Sequence, residues 1–373
     1  MDLQQLRNKI DEIDGQILSL FLERMDVCRD VAEYKRVNNL PVFQGGREEE
    51  IISRIREQTE DPALKNGTAA LFTTIMDISK HLQNQRMLEE SPDYDFTVPD
   101  FENASGIGCQ GTSGANSEAA AKLVFGDKPI KFYRSFEDVF RAVESGEISY
   151  GVLPIHNSTA GSVTTTYDLM GKYNVYIVKT VCVEINHCLA AKSDIPLSEI
   201  SCVYSHPQAL SQCSDFLTHN KLKTKEYSNT ATAAELVKNS SGEEKIAAVC
   251  SAECAERLGL HIISDDVADC SVNRTKFICI SRDLEVMPEA DTISVMLKLP
   301  HTKGSLYRLL TKFYVNGMNL QKIESRPVRD GSFEVMFYLD FSGKVTDKHV
   351  KAMLTDLSGS LEYFRFLGTS REN

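Results

Sequence analysis

The strongest constraint on the fold is an apolar stripe along the first part of the chain. Its members recur every three or four positions: Leu3, Leu6, Ile10, Ile13, Ile17, Leu20, Val27, Val31 and Tyr34. This spacing predicts one long helix that packs on partner helices. Arg24 falls on the same stripe, and because a guanidinium is costly to bury without an anion, the register predicts an anion site inside a helical bundle. The alternative is that Arg24 ends the buried stripe and extends to water.

Two further cations bear on that site. Lys35 projects from nearly the same side of the predicted helix as Arg24, offset by roughly 20°. Arg7 lies roughly 100° away around the helix and about 25 Å along its axis. Because one small ligand cannot touch both Arg7 and Arg24 from a single helix, Arg7 would come from a second, antiparallel copy. The sequence therefore suggests a dimer with composite sites.

Length and charge narrow the class of protein. The chain has 373 residues, enough for two or three domains, and a net charge of −12. It has no basic run, so we expect no nucleic-acid partner, although a local cluster of cations can still bind an anion. The charged N-terminus does not resemble a signal peptide, and no apolar run is long enough for a membrane span.

The ten cysteines are scattered and form no C-x-x-C pair. Cys250 and Cys254 have helical spacing, but no histidine cluster accompanies them. This pattern favours free thiols in a reducing cytoplasm over a disulfide framework or a metal site. We therefore expect a cytoplasmic protein with no metal and no cofactor.

The pattern of apolar residues divides the chain into three blocks. Residues 1–90 predict a helical bundle, and the polar segment 88–104 predicts a linker. Residues 104–283 alternate between strands and helices, which predicts a two-lobed α/β domain. Residues 290–370 follow a βαββαβ order, the signature of a ferredoxin-like α+β unit, and such units often pair edge to edge and hold small ligands between copies.

Three strand-to-helix turns mark the middle block. They are the Gly-rich segment 111–117, the segment 154–161 and the segment 204–208, in which Pro207 suits the first helical position. Backbone amides at a helix start suit an anion, but the segment 111–117 lacks the Gly-Lys-Ser/Thr of a Walker loop. Together the turns predict a cleft between two lobes for an organic acid. Thr275 beside Lys276 would by itself be typical of a strand start.

The chain resembles the bifunctional chorismate mutase–prephenate dehydratases with a C-terminal ACT domain. Four strings carry the resemblance, and they occur in the family's order and spacing: Asn-Ser-Thr-Ala-Gly (157–161), Tyr-Ser-His-Pro-Gln (204–208), Asn-Arg-Thr-Lys-Phe (273–277) and Glu-Ser-Arg-Pro (324–327). The resemblance implies an AroQ-type helical bundle, a dehydratase domain that is similar to periplasmic binding proteins, and a ferredoxin-like ACT domain. It also implies a homodimer or a dimer-based oligomer.

The resemblance assigns roles in the helical block. Four cations would hold the two carboxylates and the ether oxygen of chorismate: Arg7, Arg24, Lys35 and Arg47. Glu48 would fix the ring hydroxyl, and Ser79 and Gln83 would complete the site. This chain has Gln44 where the family commonly has an aspartate.

In the middle block, the resemblance makes Thr275 the proton donor to the leaving hydroxyl of prephenate. Asn157, Ser205 and Gln212 would position Thr275 and the substrate. Two residues depart from the family pattern. Lys276 replaces an arginine and so loses the bidentate fork, and His156 replaces a glutamate.

In the last block, the resemblance implies a phenylalanine site built from two strings. The first is Glu324, Ser325, Arg326 and Pro327. The second is Gly304, Ser305, Leu306 and Tyr307, in which Tyr307 is bulkier than the usual valine. The implied function is conversion of chorismate to prephenate and then to phenylpyruvate, with feedback inhibition by L-phenylalanine.

Two alternatives keep the same scaffold. One active site could have decayed. The departure at Gln44 would affect the mutase site, and the departures at His156 and Lys276 would affect the dehydratase site. The chain could also be a non-catalytic phenylalanine-binding regulator, but a decayed site has no reason to keep all its cations. Without the resemblance, the residues would suggest a two-lobed solute-binding module, against which the fused helical block counts.

Overall fold

The structure is a computed structural model that describes every residue except Met1, Pro41, Phe43, Gln44, 88–94, 242–243, Ser271, 329–333 and 372–373. The chain forms two compact units. The first contains residues 1–95 and 291–366, and the second contains residues 96–290 and 367–373. Gln44 and part of the predicted linker therefore lie outside the described residues.

The regular elements follow the predicted order. The α-helices are α1 (Leu3–Val37), α2 (Gly45–Gln58), α3 (Lys65–Met87), α4 (Asn116–Phe125), α5 (Phe136–Glu144), α6 (Thr164–Lys172), α7 (Pro207–Gln212), α8 (Ser214–His219), α9 (Thr230–Asn239), α10 (Ala252–Leu258), α11 (Ser305–Val315) and α12 (Lys348–Ser360). The strands are β1 (Ile107–Gln110), β2 (Ile130–Tyr133), β3 (Tyr150–Asn157), β4 (Gly161–Ser162), β5 (Tyr176–Glu184), β6 (Cys188–Ala191), β7 (Cys202–Ser205), β8 (Thr224–Glu226), β9 (Ile246–Cys250), β10 (His261–Ser264), β11 (Arg274–Ser281), β12 (Thr292–Lys298), β13 (Leu320–Pro327), β14 (Val335–Ser342) and β15 (Phe364–Ser370).

The first unit begins with the predicted long helix. A reciprocal pair of hydrogen bonds between Asp2 and Gln5 caps α1, and Asn39 ends it with a positive φ of 52°. Helix α1 contacts α3, and its buried residues, Met25 and Ala32, do not belong to the apolar stripe, so the partner predicted for the stripe is not found within this chain's described residues. The stripe is exposed to between 39% at Val31 and 65% at Leu20.

The rest of the first unit has a β-α-β-β-α-β succession. The strands lie in the order β13-β14-β12-β15, with β13 at the edge, and β14 pairs antiparallel with both β12 and β13. Strand β15 is divided after Phe366, so only its first residues belong to this unit. Helices α11 and α12 both pack on α3 of the helical block.

The second unit has two lobes, each built on a sheet. In the first lobe the strands run β5-β11-β3-β1-β2, and in the second they run β10-β6-β9-β7-β8. The chain passes between the lobes after β5 and again before β11. Both sheets contain fully buried apolar residues, such as Val152 of β3 and Val249 of β9. This architecture confirms the predicted two-lobed α/β block.

The second half of the predicted linker is not a linker. Thr97 pairs with Glu285 in an isolated bridge, and the Phe101 ring lies 5.4 Å from that of Phe125 and 5.3 Å from that of Tyr150. The polar composition of this segment predicted a linker. A single aromatic side chain, Phe101, is nevertheless enough to hold an otherwise hydrophilic segment against the core.

Candidate active sites

The first site is built where β3 and β11 lie side by side in the second unit. Asn157 ends β3 and is the direct partner of Thr275 in the antiparallel register. The Asn157 side chain donates from Nδ2 to Thr275 Oγ1 at 2.9 Å and to Asn273 Oδ1 at 2.8 Å. All three residues are buried. Two strands that are distant in sequence thus bring the predicted acid and its predicted positioning residue together.

The hydrogen-bond pattern fixes how the Thr275 hydroxyl can act. Because an amide NH₂ can only donate, Thr275 Oγ1 must accept from Asn157. Its own hydrogen is then available to another acceptor, such as an oxygen of a bound substrate. The same amide would stabilise negative charge that develops on Oγ1 if the proton leaves.

Gln212 of α7 extends the cluster. Its Nε2 donates to Thr159 Oγ1 at 2.6 Å, and its Oε1 accepts from Asn273 Nδ2 at 3.1 Å. Thr159 donates in turn from Oγ1 to Asn157 Oδ1 at 2.7 Å. Each side chain is therefore oriented by at least one neighbour, which makes the cluster preorganised.

A cleft of about 380 Å³ opens beside this cluster. That volume suits a small organic molecule. The lining residues are Thr159, Ala160, Gln208, Ser211, Gln212, Ala268, Asp269, Cys270 and Asn273. Thr275 is not among these lining residues and is linked to them through Asn157, which contacts both Thr275 and Asn273.

Three residues that the resemblance assigned to this site lie outside the cluster. Ser205 is fully buried and donates to the Val249 carbonyl at 2.6 Å, so it ties β7 to β9. His156 and Lys276 are paired across β3 and β11 and are half-buried. Since successive strand residues point to opposite faces, these two lie on the other face of the sheet from Asn157 and Thr275.

The Gly-rich segment 111–117 does not offer a free anion site. Gly111 and Gly114 have φ values of 114° and 85°, in the region that favours glycine. The Glu118 carboxylate accepts from the Gly114 amide at 2.5 Å and from Ser113 Oγ at 3.1 Å. The chain's own carboxylate thus occupies the position that the sequence suggested for a ligand.

Sequence reasoning missed His187, which lies between β5 and β6. Its side chain is buried, and its Nε2 is 3.0 Å from Gln212 Oε1. Because Oε1 is an acceptor, this nitrogen carries the hydrogen. Burial lowers the pKa of His187, and the hydrogen bond to Gln212 opposes that shift only in part. The only signal in the sequence was a short polar interruption, Asn186 and His187, between two apolar strands.

His187 leads to a prediction about pH. Because its pKa in the folded state lies below the ordinary 6.5, the unfolded chain binds the proton more readily. The free energy of unfolding of the second unit should be fully retained above pH 6.5 and should fall as the pH drops below it. Urea midpoints between pH 5 and 8 measure this dependence.

The control is a comparison of His187→Gln with His261→Gln, since His261 is exposed on β10. The first change should flatten the acid side of the profile, and the second should leave it steep. Some slope will remain, because burial also lowers the pKa of His206, against the attraction of Glu226. Equal slopes in the two variants would contradict the assignment.

The second candidate site lies between α1 and α3 in the first unit. Arg24 is half-buried and donates from Nη1 to Ser79 Oγ at 2.6 Å. Ser79 itself donates to the Ile75 carbonyl at 2.8 Å, so it can only accept from Arg24. A guanidinium has five N–H donors, so most of the Arg24 fork remains for an anion.

Lys35, Glu48 and Gln83 lie on the helices around this pair. Lys35 donates to the Val42 carbonyl at 2.9 Å, and burial lowers its pKa, against the attraction of Cys28 and Glu48. Gln83 is buried, and its Oε1 has no hydrogen-bond partner within the described part of the chain. An orphan buried acceptor costs free energy, which indicates a polar site that a ligand can complete.

Two of the predicted cations lie apart from Arg24 in this chain. Arg7 is exposed on the first turns of α1. Arg47 is also exposed and pairs with Glu50 at 3.2 Å. One copy of the chain therefore joins Arg24 to Ser79, carries Lys35 and Gln83 on the same two helices, and leaves Arg7 and Arg47 on its surface.

The two strings predicted to bind an effector occupy the start of α11 and the strand β13. Gly304 caps α11 with a φ of 82°, and Ser305 donates to the Thr302 carbonyl at 3.0 Å. Leu306 and Tyr307 are exposed to 39% and 54%. On β13, Glu324 and Arg326 are half-buried and alternate with the exposed Ser325 and Pro327.

Comparison with known proteins identifies the family of this chain. A model of type II chorismate mutases matches residues 6–84, and a model of prephenate dehydratases matches residues 107–285. The bifunctional chorismate mutase/prephenate dehydratase of Stutzerimonas stutzeri is 30% identical over 98% of this chain and 97% of its own length. The chain belongs to the family of bifunctional chorismate mutase/prephenate dehydratases.

Two other relatives match a smaller share of the chain. Arogenate dehydratase/prephenate dehydratase 1 of Arabidopsis thaliana is 35% identical over 70% of this chain and 71% of its own length. The solved structure of a prephenate dehydratase from Arthrobacter aurescens, in complex with L-Phe, has a TM-score of 0.66. It shares 28% identity and covers 72% of this chain and 90% of that chain.

The family assigns the two sites to different units. The Arg24–Ser79 pair lies in the chorismate mutase match, and the Asn157–Thr275 pair lies in the prephenate dehydratase match. The predicted fold class is thus confirmed for the helical block and for the α/β block. Among the described residues, no helix combines the length and the apolar character needed to cross a bilayer.

Proposed function

We propose that this chain rearranges chorismate to prephenate at the Arg24 site and converts prephenate to phenylpyruvate at the Asn157 site. The observation that carries the proposal is that hydrogen-bonded polar side chains lie inside each matched family domain, at Arg24 and Ser79 in the first and at Asn157 and Thr275 in the second. The blocks expected from the sequence, 1–90, 104–283 and 290–370, would then be the mutase, the dehydratase and the regulatory domain.

In the mutase reaction, the protein would hold the compact conformer of chorismate and stabilise negative charge on its ether oxygen. Arg24 would bind a carboxylate with the free part of its fork, and Ser79 holds that fork in place. Lys35 would donate to the ether oxygen from one side. A 180° turn of the Gln83 amide would present its NH₂ from the other, where the amide oxygen has no partner among the described residues.

A second copy of the chain would complete the mutase site. The apolar stripe of α1 is exposed along its whole length, and exposed apolar surface of this extent marks an interface. Two antiparallel α1 helices would bury both stripes and bring Arg7 of one copy towards Arg24 of the other. Arg47 would supply the remaining cation, and Glu48 would accept from the ring hydroxyl.

In the dehydratase reaction, the carboxylate bond to the ring carbon breaks and carbon dioxide leaves. The electron pair of that bond enters the ring, and the hydroxyl on the opposite carbon departs as the ring becomes aromatic. Thr275 would give its hydrogen to that hydroxyl, which leaves as water. Asn157 and Gln212 would orient Thr275 and the substrate, whereas Ser205 would act only through the β7–β9 contact.

The C-terminal part would be a ferredoxin-like ACT domain that binds L-phenylalanine. Its strand order β13-β14-β12-β15 and its β-α-β-β-α-β succession support this assignment. The edge position of β13 supports a site shared between two copies, to which Ser325 and Arg326 would contribute. The ten free cysteines accord with the cytoplasmic location expected from the sequence.

Substitution of Ser325 tests the effector site. We expect Ser325→Ala to raise the concentration of phenylalanine that halves dehydratase activity by roughly ten- to a hundredfold, because a hydrogen bond to a charged group is lost. Inhibition curves on supplied prephenate measure this shift. The matched control is Ser358→Ala, at an exposed position of α12. Identical curves for the two variants would remove Ser325 from the effector site.

The proposed function is tested by giving the purified chain chorismate, with and without phenylalanine, and identifying the products by chromatography. We expect phenylpyruvate, in an amount that falls when phenylalanine is present. Prephenate as the end product would show that the dehydratase site is inactive towards it, and supplied arogenate would then test the other substrate named for the Arabidopsis relative. Unchanged chorismate would contradict the mutase assignment.

A further inference from the structure

Lys80 of α3 is a buried cation that the proposed chemistry does not use. Its side chain is only 10% exposed, and lysine is almost never buried without a partner. Two carboxylates meet it: Asp77 Oδ1 at 2.9 Å and Glu48 Oε2 at 3.1 Å. Burial lowers the pKa of Lys80, but these carboxylates outweigh that effect and leave the pKa above its usual value. Lys80 is therefore charged at neutral pH.

The contact with Glu48 joins Lys80 to the mutase site. Glu48 lies in the first turn of α2, where a carboxylate is favoured by the helix dipole in any rotamer. The helix dipole therefore does not select one orientation of the Glu48 carboxylate. Lys80 selects it by binding Oε2, and Oε1 is then left to accept from a substrate hydroxyl. On α3, Lys80 is next to Ser79 in sequence, and Ser79 holds Arg24.

The contact with Asp77 gives Lys80 a second carboxylate partner, on its own helix. Asp77 lines a cavity of about 10 Å³ at the contact of α3 with α11 and α12, together with Asn316 and Asp356. Asp77 Oδ2 and Asn316 Oδ1 are buried there and have no partner within the described part of the chain. Such a cavity has room for about one water molecule, which could satisfy both oxygens. Asp77 is thus held in place by packed helices and fixes Lys80 in turn.

We propose that Lys80 is a positioning residue for the mutase reaction, which orients the Glu48 carboxylate towards the ring hydroxyl of chorismate. The inference rests on the proposed function, since it takes Glu48 to be part of the mutase site. It adds a residue that acts through Glu48 and does not itself touch the substrate.

The test compares the rate of chorismate consumption by Lys80→Gln, Lys80→Arg and Glu48→Gln with that of the parent chain. Loss of a residue that orients a metal ligand typically costs 10- to 100-fold, and by analogy we expect a fall of about that size in mutase kcat/KM for Lys80→Gln. Lys80→Arg keeps the charge and should recover most of the loss. Lys65→Gln is the matched control, because Lys65 starts the same helix about 22 Å away.

The double variant Lys80→Gln with Glu48→Gln separates positioning from general stability. If Lys80 acts through Glu48, Lys80→Gln should lower kcat/KM by less than about threefold in the Glu48→Gln background. Full additivity would overturn the inference, as would a Lys80→Gln variant that behaves like Lys65→Gln. If Lys80→Gln does not fold, as its circular dichroism would show, Asp77→Asn and its double variant with Glu48→Gln replace it, and the same non-additivity is expected.

The two kinds of failure are distinguishable. A parent chain that does not consume chorismate would overturn the proposed function and this inference together. A parent chain that is active, with Glu48→Gln equally active, would overturn the inference and leave the mutase assignment standing. Dehydratase activity on supplied prephenate, measured on every variant, should match that of the parent chain.

Discussion

Arg24→Ala should lower mutase kcat/KM by about 100- to 1000-fold, the cost of removing one preorganised donor from a site of this kind. The reason is local. Arg24 is held by Ser79 at 2.6 Å, so its remaining donors need no reordering when a carboxylate arrives. Chorismate consumption measures the effect directly.

The matched control is Arg29→Ala, a change of the same type on the same helix. Arg29 is 58% exposed and pairs with Asp26, so its loss should alter the mutase rate little. Arg24→Ala should also keep the parent rate of phenylpyruvate formation from supplied prephenate. Loss of both activities in a folded Arg24→Ala chain would show that the two sites are not independent.

Thr275→Ala should stop the pathway one step later, with prephenate accumulating from chorismate. Loss of a general acid typically costs 10²- to 10⁴-fold, and here the hydroxyl is the group that Asn157 leaves free to donate. The rate of phenylpyruvate formation from supplied prephenate gives the size of the effect. Thr275→Ser restores a hydroxyl and should recover a large part of the rate.

Thr224→Ala serves as the control for this change, because Thr224 is an exposed strand residue of the same unit. It should keep the parent rate. If Thr275→Ala also forms phenylpyruvate at the parent rate, Thr275 is not the acid, and the proton must come from another donor at the cleft, such as the wall that contains Gln208 and Ser211.

The sequence predicted most of the elements, because local signals fix them. The period of the apolar residues predicts α1, which ends at Val37. The β-α-β-β-α-β order of the last block follows from short segments whose period changes from two to 3.6. Each of these elements depends on residues within about ten positions along the sequence, so a single sequence is enough to predict it.

The packing of α1 could not be read from the same pattern. The stripe predicts an apolar partner but does not say whether that partner belongs to the same chain. In the structure α1 contacts α3, its buried residues are Met25 and Ala32, and the stripe remains exposed. A stripe that contacts another copy and one that contacts the same chain have the same period.

The sites needed contacts between distant segments. Asn157 and Thr275 were named through the resemblance, but only the register of β3 against β11 shows that one donates to the other. His187 and Lys80 were missed because each depends on one partner far away in sequence, Gln212 and Glu48 respectively. The assignment of Ser205 stays a prediction, and its observed contact is with the Val249 carbonyl.

The central claim is that two independent sites act in sequence on one chain. The most direct test mixes the Arg24→Ala and Thr275→Ala variants, supplies chorismate and measures phenylpyruvate. Each variant alone should form almost none, whereas the mixture should form it steadily, because prephenate made by one variant is consumed by the other. A mixture that forms no phenylpyruvate, although each variant keeps its remaining activity, would contradict the account.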